Sequence, residues 1–174
     1  MLGLGLALGL LSGCGLFGGD TPPPPCPRAA ILDQARTTSL YGEGAEHTFT
    51  NVSYELAIIT LSGVCEYDVD EGRTAIRSVL TIGLEAKRGP AGEALTVELP
   101  YFVAIADPER RIIAKEVFRS PLVFTETGVR SQRTEEVEQI IPIPQQSFGG
   151  DYEIFVGLQL DRDQLEENLK RRQR

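Results

Sequence analysis

Residues 95–106 read Leu-Thr-Val-Glu-Leu-Pro-Tyr-Phe-Val-Ala-Ile-Ala. Leu95, Val97 and Leu99 alternate with Thr96 and Glu98, the period of a strand with one dry and one wet face. Pro100 interrupts. Proline has no N–H to give a ladder, so a bulge or a sheet edge is expected there. Over 101–106 the run is apolar throughout, as for a buried core strand.

The same period extends to both sides. Val52, Tyr54, Leu56 and Ile58 mark one face of a strand running to about residue 61. Ile76, Leu80, Ile82 and Leu84 mark a second, opposite Arg77, Thr81 and Glu85. Asp107-Pro108 signals a turn. Strands at 111–118 and 122–125 follow, split by Ser120-Pro121, and another at 134–141 is closed by Pro142 and Pro144. Gly149-Gly150-Asp151 then turns the chain into Tyr152, Ile154, Val156, Leu158 and Leu160, which alternate with Glu153, Phe155, Gly157 and Gln159.

Seven to nine short strands, with turn signals and no helical period between them, predict an all-β fold. The expected form is an antiparallel β-sandwich of Ig-like or Greek-key type, with a small barrel as the alternative. The one helix expected starts at about residue 161. Asp161 can cap it and Gln164 completes a capping-box spacing. Asp163, Glu166 and Glu167 precede Lys170, Arg171, Arg172 and Arg174, which suits the helix dipole. Leu165 and Leu169 share a face. That face either packs on the sandwich or docks a partner, and the basic tip could meet anionic lipid or cell-wall polymer.

At 174 residues the chain is long enough for one domain. A net charge of −8 argues against non-specific nucleic-acid binding, which needs cationic surface. One His and three Cys leave little material for zinc or nucleophile chemistry.

The N-terminus carries an address. Residues 1–13, MLGLGLALGLLSG, are apolar or Gly apart from Ser12. As a helix they would span roughly 20 Å, short of the ~30 Å hydrocarbon core. A secretory signal fits better than a transmembrane span. It ends in Leu11-Ser12-Gly13-Cys14, which resembles the bacterial lipobox. The resemblance implies cleavage before Cys14, lipid on its thiol and its new amine, and stable membrane anchoring. Gly15 stands where Asp retains many lipoproteins in the inner membrane, so the outer membrane is implied. The usual n-region Lys or Arg is missing, for which a start upstream of Met1 is one reading.

Residues 14–25 read as a lipidated tether, in which Gly15 to Pro25 mix Gly with a Pro run and reach at most roughly 35 Å. Residues 26–174 are then one domain. With Cys14 lipidated, Cys26 and Cys65 remain, and in an oxidising compartment two cysteines pair. Their bridge would close a loop of roughly 40 residues, worth about 4 kcal/mol. Two buried thiols, or one reactive thiol, are the rival readings. No Trp exists to pack on an Ig-type inter-sheet bridge.

Candidate chemistry is sparse. Glu66, Asp68 and Asp70 alternate before Glu71 and Gly72, a faint calcium-loop pattern. It fails the EF-hand spacing, since Glu71 stands where Gly is needed and Arg77 where the bidentate Glu belongs. A solvated strand edge is the plainer reading. His47 lies in a loop-like stretch, and any Ser–His–Asp triad would have to use it, but no GxSxG elbow supports one. Lys87-Arg88-Gly89-Pro90-Ala91-Gly92 is a basic turn that reads as a hairpin loop or as a phosphate or sugar contact. No catalytic residue, metal site or cofactor is expected.

The region from Cys26 to Leu169 also resembles small alphaproteobacterial envelope lipoproteins. Lys87-Arg88-Gly89-Pro90, Tyr101-Phe102-Val103-Ala104 and Val156-Gly157-Leu158-Gln159-Leu160 carry that resemblance, and it implies no particular activity. The expected function is therefore a lipid-anchored, periplasm-facing, non-enzymatic interaction or assembly module with a protein partner in the envelope. It predicts a patch of exposed apolar side chains. The alternative is a binding module for a small ligand, glycan or cell-wall fragment, which predicts a concave pocket with convergent polar groups. A hydrolase, with a carboxylate pair or His47 in a cleft, is the third reading.

Overall fold

A computed structural model describes residues 24–70, 73–144 and 147–172. The expected signal at 1–13, Cys14 and nearly all of the expected tether at 14–25 lie outside the described residues.

Eight strands among the described residues form two four-stranded sheets, an all-β sandwich. One sheet has the order β1 (Arg28–Ile31), β8 (Glu153–Leu158), β5 (Thr96–Ala106), β6 (Ile112–Val123). The other runs β2 (Thr37–Tyr41), β3 (Val52–Asp70), β4 (Arg73–Arg88), β7 (Arg130–Ile143). β4 crosses to β5 in the facing sheet, β5 and β6 form a hairpin, and β7 returns beside β4. This is Greek-key connectivity spread over two sheets. All ladders are antiparallel except β1 with β8, which run parallel.

The longest ladder is β3–β4. It continues well past residue 61, where the alternation of apolar residues on one parity ends. The register shifts between Ile58 and Thr60, so one extra residue enters β3. Side-chain parity then inverts. Tyr54, Leu56 and Ile58 pack into the core before the shift, and Leu61, Cys65 and Tyr67 pack against it afterwards. Gly83 makes room for the bulge, because a Cβ there would stand 2.2 Å from Thr60 Oγ1.

The core lies between the sheets. Leu56, Ile58, Leu80, Ile82 and Leu84 from one sheet meet Leu99, Val103, Leu122, Ile154 and Val156 from the other, all essentially inaccessible to solvent. Each such side chain contributes about 1.5–3 kcal/mol of burial. Ala104 and Ala106 face away from this core yet are also buried. β5 is central, and Phe155 stands beside Ala104 in register. That double cover explains the unbroken apolar run over 101–106.

The prolines mark edges more than ends. At Pro100, β5 has β6 on one side, while the ladder to β8 begins only at Tyr101. The Pro100 carbonyl accepts the Gln159 N–H as β8 departs, 2.9 Å away. β6 runs unbroken through Ser120-Pro121 and β7 through Pro142, contrary to the expected breaks. Both are edge strands, whose outer side needs no donor.

Helix α1 (Arg162–Arg172) begins where Asp161 predicts. It does not dock by its leucines: Leu165 and Leu169 stay 37% and 43% exposed. Its buried residue is Asn168, whose amide donates to the carbonyls of Gln34 and Thr37 at 2.9 and 2.7 Å. Edge strand β2 presents polar backbone to the helix, and an amide meets it better than a leucine would.

Candidate functional site

The two ends of the sandwich differ in what they hold. One end receives the chain at Pro24, where the described residues begin. Cys26 is bonded to Cys65 on β3, with their Cα atoms 5.8 Å apart. The Tyr67 hydroxyl donates to the Pro25 carbonyl and accepts the Gly149 N–H, each at 2.7 Å. Gly149 is required by this approach, since a Cβ there would lie 2.5 Å from the Tyr67 oxygen. A disulfide and a shared hydroxyl thus fix where the domain begins.

Glu66 and Asp68 lie on the outward face of β3 near this end, and Asp70 ends the strand. Glu66 stands opposite Arg77, whose guanidinium bonds Glu138 at 2.6 Å. Glu71 and Gly72 lie outside the described residues. Among the described residues no three potential metal ligands converge. Glu66 and Asp68 are part of a solvated strand face.

The other end is built from the loop 42–51, the start of β3 and the crossover after β4. Val52 pairs with Tyr41 there, and the Tyr54 hydroxyl donates to the Ala94 carbonyl at 2.7 Å. The loop separates two cavities of opposite character.

On one side His47 lies flat against the Tyr41 ring, centroids 4.2 Å apart and planes within 7°. Its Nδ1 faces Glu167 of α1 at 3.5 Å. Ser39, Asp161, Asp163 and Gln164 line the same open cavity of about 450 Å³. Asp161 is committed to capping α1. Among the described residues no hydrogen bond joins the Ser39 hydroxyl to His47. His47 thus joins the loop to β2 by ring stacking and lies within reach of Glu167 on α1.

On the other side lies the basic segment 87–92. It is a crossover between sheets, where the sequence had suggested a hairpin loop. It hugs the start of β3. Gly89 N–H bonds the Ser53 carbonyl and Ala91 N–H the Val52 carbonyl, at 2.8 and 3.0 Å. A Cβ on Gly89 would meet the Val52 oxygen at 2.2 Å and one on Gly92 the Ser53 oxygen at 2.3 Å. Close approach of two backbones therefore demands both glycines.

This wrapping leaves a cavity of about 230 Å³ whose wall is mostly apolar: Phe49, Val52, Pro90 and Val129. Lys87, Arg88 and Arg130 stand around it. Lys87 Nζ and Arg130 Nη1 both reach the buried carboxylate of Glu85, at 3.5 and 3.2 Å, and Gln132 donates to the same group at 2.6 Å. Arg88 lies over the Phe124 ring, 4.8 Å from its centroid.

Lys87 and Arg88 were legible as a basic turn. Phe49, Val129 and Arg130 were not, because they arrive from segments distant in sequence, two loops and the first residue of β7. Exposed apolar side chains are spread over several elements, among them Ile112, Ile113, Val117 and Val123 along β6. Phe49 and Val129 are 79% and 68% exposed at this loop end, while Val64, Ile140 and Phe148 are exposed on the half of the molecule nearer the tether. No protein-family model, no curated protein and no solved structure matches this chain.

Proposed function

We propose that this chain is a lipid-anchored envelope protein, acylated on Cys14. In this reading its sandwich is a non-enzymatic module that meets a partner protein with the loop end. The reading takes its address from the lipobox resemblance and the apolar segment before it. The observation that carries the functional part is the position of the Cys26–Cys65 bond. It clamps the start of the domain to β3 thirteen residues beyond Val52, a separation of roughly 40 Å along an extended strand. A tether that ends at one pole leaves the opposite pole free to face outward. That pole carries the loop 42–51, the crossover after β4, the exposed Phe49 and Val129, and the 230 and 450 Å³ cavities.

The test of the address is the mass of the N-terminal peptide from membrane-derived protein, together with the distribution of Cys14→Ser between membrane and soluble fractions. A Cys14 terminus carrying thioether-linked diacylglycerol and an acyl chain on its amine, and a variant released from membranes, are expected. An unmodified Cys14 within a chain starting at Met1 would overturn the reading.

A second reading, a module for a small ligand, is favoured by the 230 Å³ cavity, because its wall combines apolar side chains with Lys87, Arg88 and Arg130.

A further inference from the structure

We propose that the loop-end cavity binds a small carboxylic acid on an apolar body, with its carboxylate held by Arg88. The inference adds a ligand to the loop end and does not rest on membrane attachment.

The argument starts from Arg88. It is the last residue of β4 and is half-buried. Its Nη1 and Nη2 reach the carbonyls of Glu126 and Thr125 only at 3.4 Å each, the long limit of a hydrogen bond. Its Nε is buried and has no partner among the described residues. No carboxylate among them pairs with it, whereas its neighbours Lys87 and Arg130 both share Glu85. Contact with the Phe124 ring offsets part of the lost hydration. A half-buried guanidinium with a buried, unpartnered Nε and no counter-charge is costly, and a bound anion relieves that cost. The guanidinium fork also matches a carboxylate in geometry.

The rest of the wall selects the body of the ligand. Phe49, Val52, Pro90 and Val129 offer carbon surface and no donor side chain. Glu55 is the carboxylate on the wall, and it stands opposite Lys87 in the β3–β4 register. A volume of about 230 Å³ is room for roughly eight water volumes, enough for a ring or short alkyl chain with its acid group. A bare inorganic anion would leave the apolar wall wet.

The test uses full-length protein carrying Cys14→Ser, so that no membrane is involved. It is titrated with 3-phenylpropionate, with the neutral 3-phenylpropanol and with inorganic phosphate, and backbone amide shifts are followed by NMR. The acid is expected to bind about tenfold or more tighter than the alcohol, with shifts centred on 49–52, 87–90 and 129–130. Arg88→Gln should remove that preference. Because Arg88 packs on Phe124, a second variant tests the exposed rim: Val129→Asp should abolish acid binding while the rest of the spectrum stays native. Equal binding of acid and alcohol, phosphate as tight as the acid, shifts centred elsewhere, an unaffected Val129→Asp, or no shift up to about 10 mM would each overturn the proposal.

Discussion

Asp161 and Gln164 cap α1 reciprocally. The Gln164 N–H donates to Asp161 Oδ1 at 2.9 Å, and the Asp161 N–H donates to Gln164 Oε1 at 3.0 Å. Two backbone donors with no intrahelical partner are thereby satisfied. Asp161→Ala should cost about 0.5–2 kcal/mol of helix stability. Adding Gln164→Ala should cost less than its effect alone, because the box acts as one unit. Amide exchange across 162–172 in the single and double variants measures both.

Asn168 is a sharper test of docking, because it is where α1 meets the sandwich. Asn168→Leu keeps similar volume but leaves the Gln34 and Thr37 carbonyls without that donor. A loss of about 1–3 kcal/mol is expected, with faster exchange in both α1 and β2. Leu165→Ala, on the exposed face, should change stability by less than about 0.5 kcal/mol.

The Cys26–Cys65 bond closes nearly forty residues. Its reduction, or the paired change Cys26→Ala with Cys65→Ala, should remove about 4 kcal/mol by constraining the unfolded chain less. That corresponds to a melting point lower by roughly 8–16 °C for a domain of this size. Calorimetry with and without reductant reads the difference.

Arg110 closes the β5–β6 hairpin with a φ of 63°, the left-handed region that favours glycine. Its N–H bonds the Asp107 carbonyl at 2.8 Å, and the Asp107 N–H bonds the Arg111 carbonyl at 3.0 Å, so the turn is fixed around it. Arg110→Gly should therefore stabilise the protein by roughly 0.5–1 kcal/mol. Gly89→Ala should do the opposite, since its Cβ would strike the Val52 oxygen. Denaturant midpoints for the two variants should move in opposite directions.

The same turn sets an acid response. Hydrogen bonds from the Arg111 guanidinium, then from its backbone N–H, hold the Asp107 carboxyl below the ordinary carboxylate range. A group depressed on folding adds stability above its unfolded value of about 3.9 and loses it as pH falls through the lower folded value. Stability should thus decline below about pH 4, and Asp107→Asn should flatten that decline. At the alkaline end, burial raises the Tyr101 hydroxyl to about 12, with Glu135 adding to the shift. That contribution is complete below the unfolded value of about 10 and disappears as pH rises through 12. Tyrosinate absorbance and denaturant midpoints across both ranges check the two signs.

Much of the sandwich was legible because a two-residue period survives wherever one sheet face is buried. Ile76 to Leu84 and Ile154 to Leu158 read directly, and so did the Asp161–Gln164 cap, whose partners are three residues apart. The pairing of Cys26 with Cys65 followed from counting thiols. Features that depend on distant register did not read. The parity switch at Ile58–Thr60 hid the second half of β3. Edge strands β6 and β7 carried prolines that central strands would refuse. The four-residue β1 pairs in parallel with β8 more than a hundred residues later. At the loop end, Lys87 and Arg88 stood out as local charge, but Phe49 and Val129 join them only through the crossover.

The central claim is that the pole opposite the Cys26–Cys65 bond meets the partner while Cys14 holds the chain to the membrane. In-cell photo-crosslinking tests it most directly, with a photoreactive residue placed at Val129 on the loop end or at Glu66 on the tether end, each with and without Cys14→Ser. A reproducible protein adduct from position 129, lost with Cys14→Ser, and none from position 66, is the predicted result. Adducts from position 66 alone, no protein adduct from position 129, or an adduct there indifferent to Cys14→Ser would contradict it.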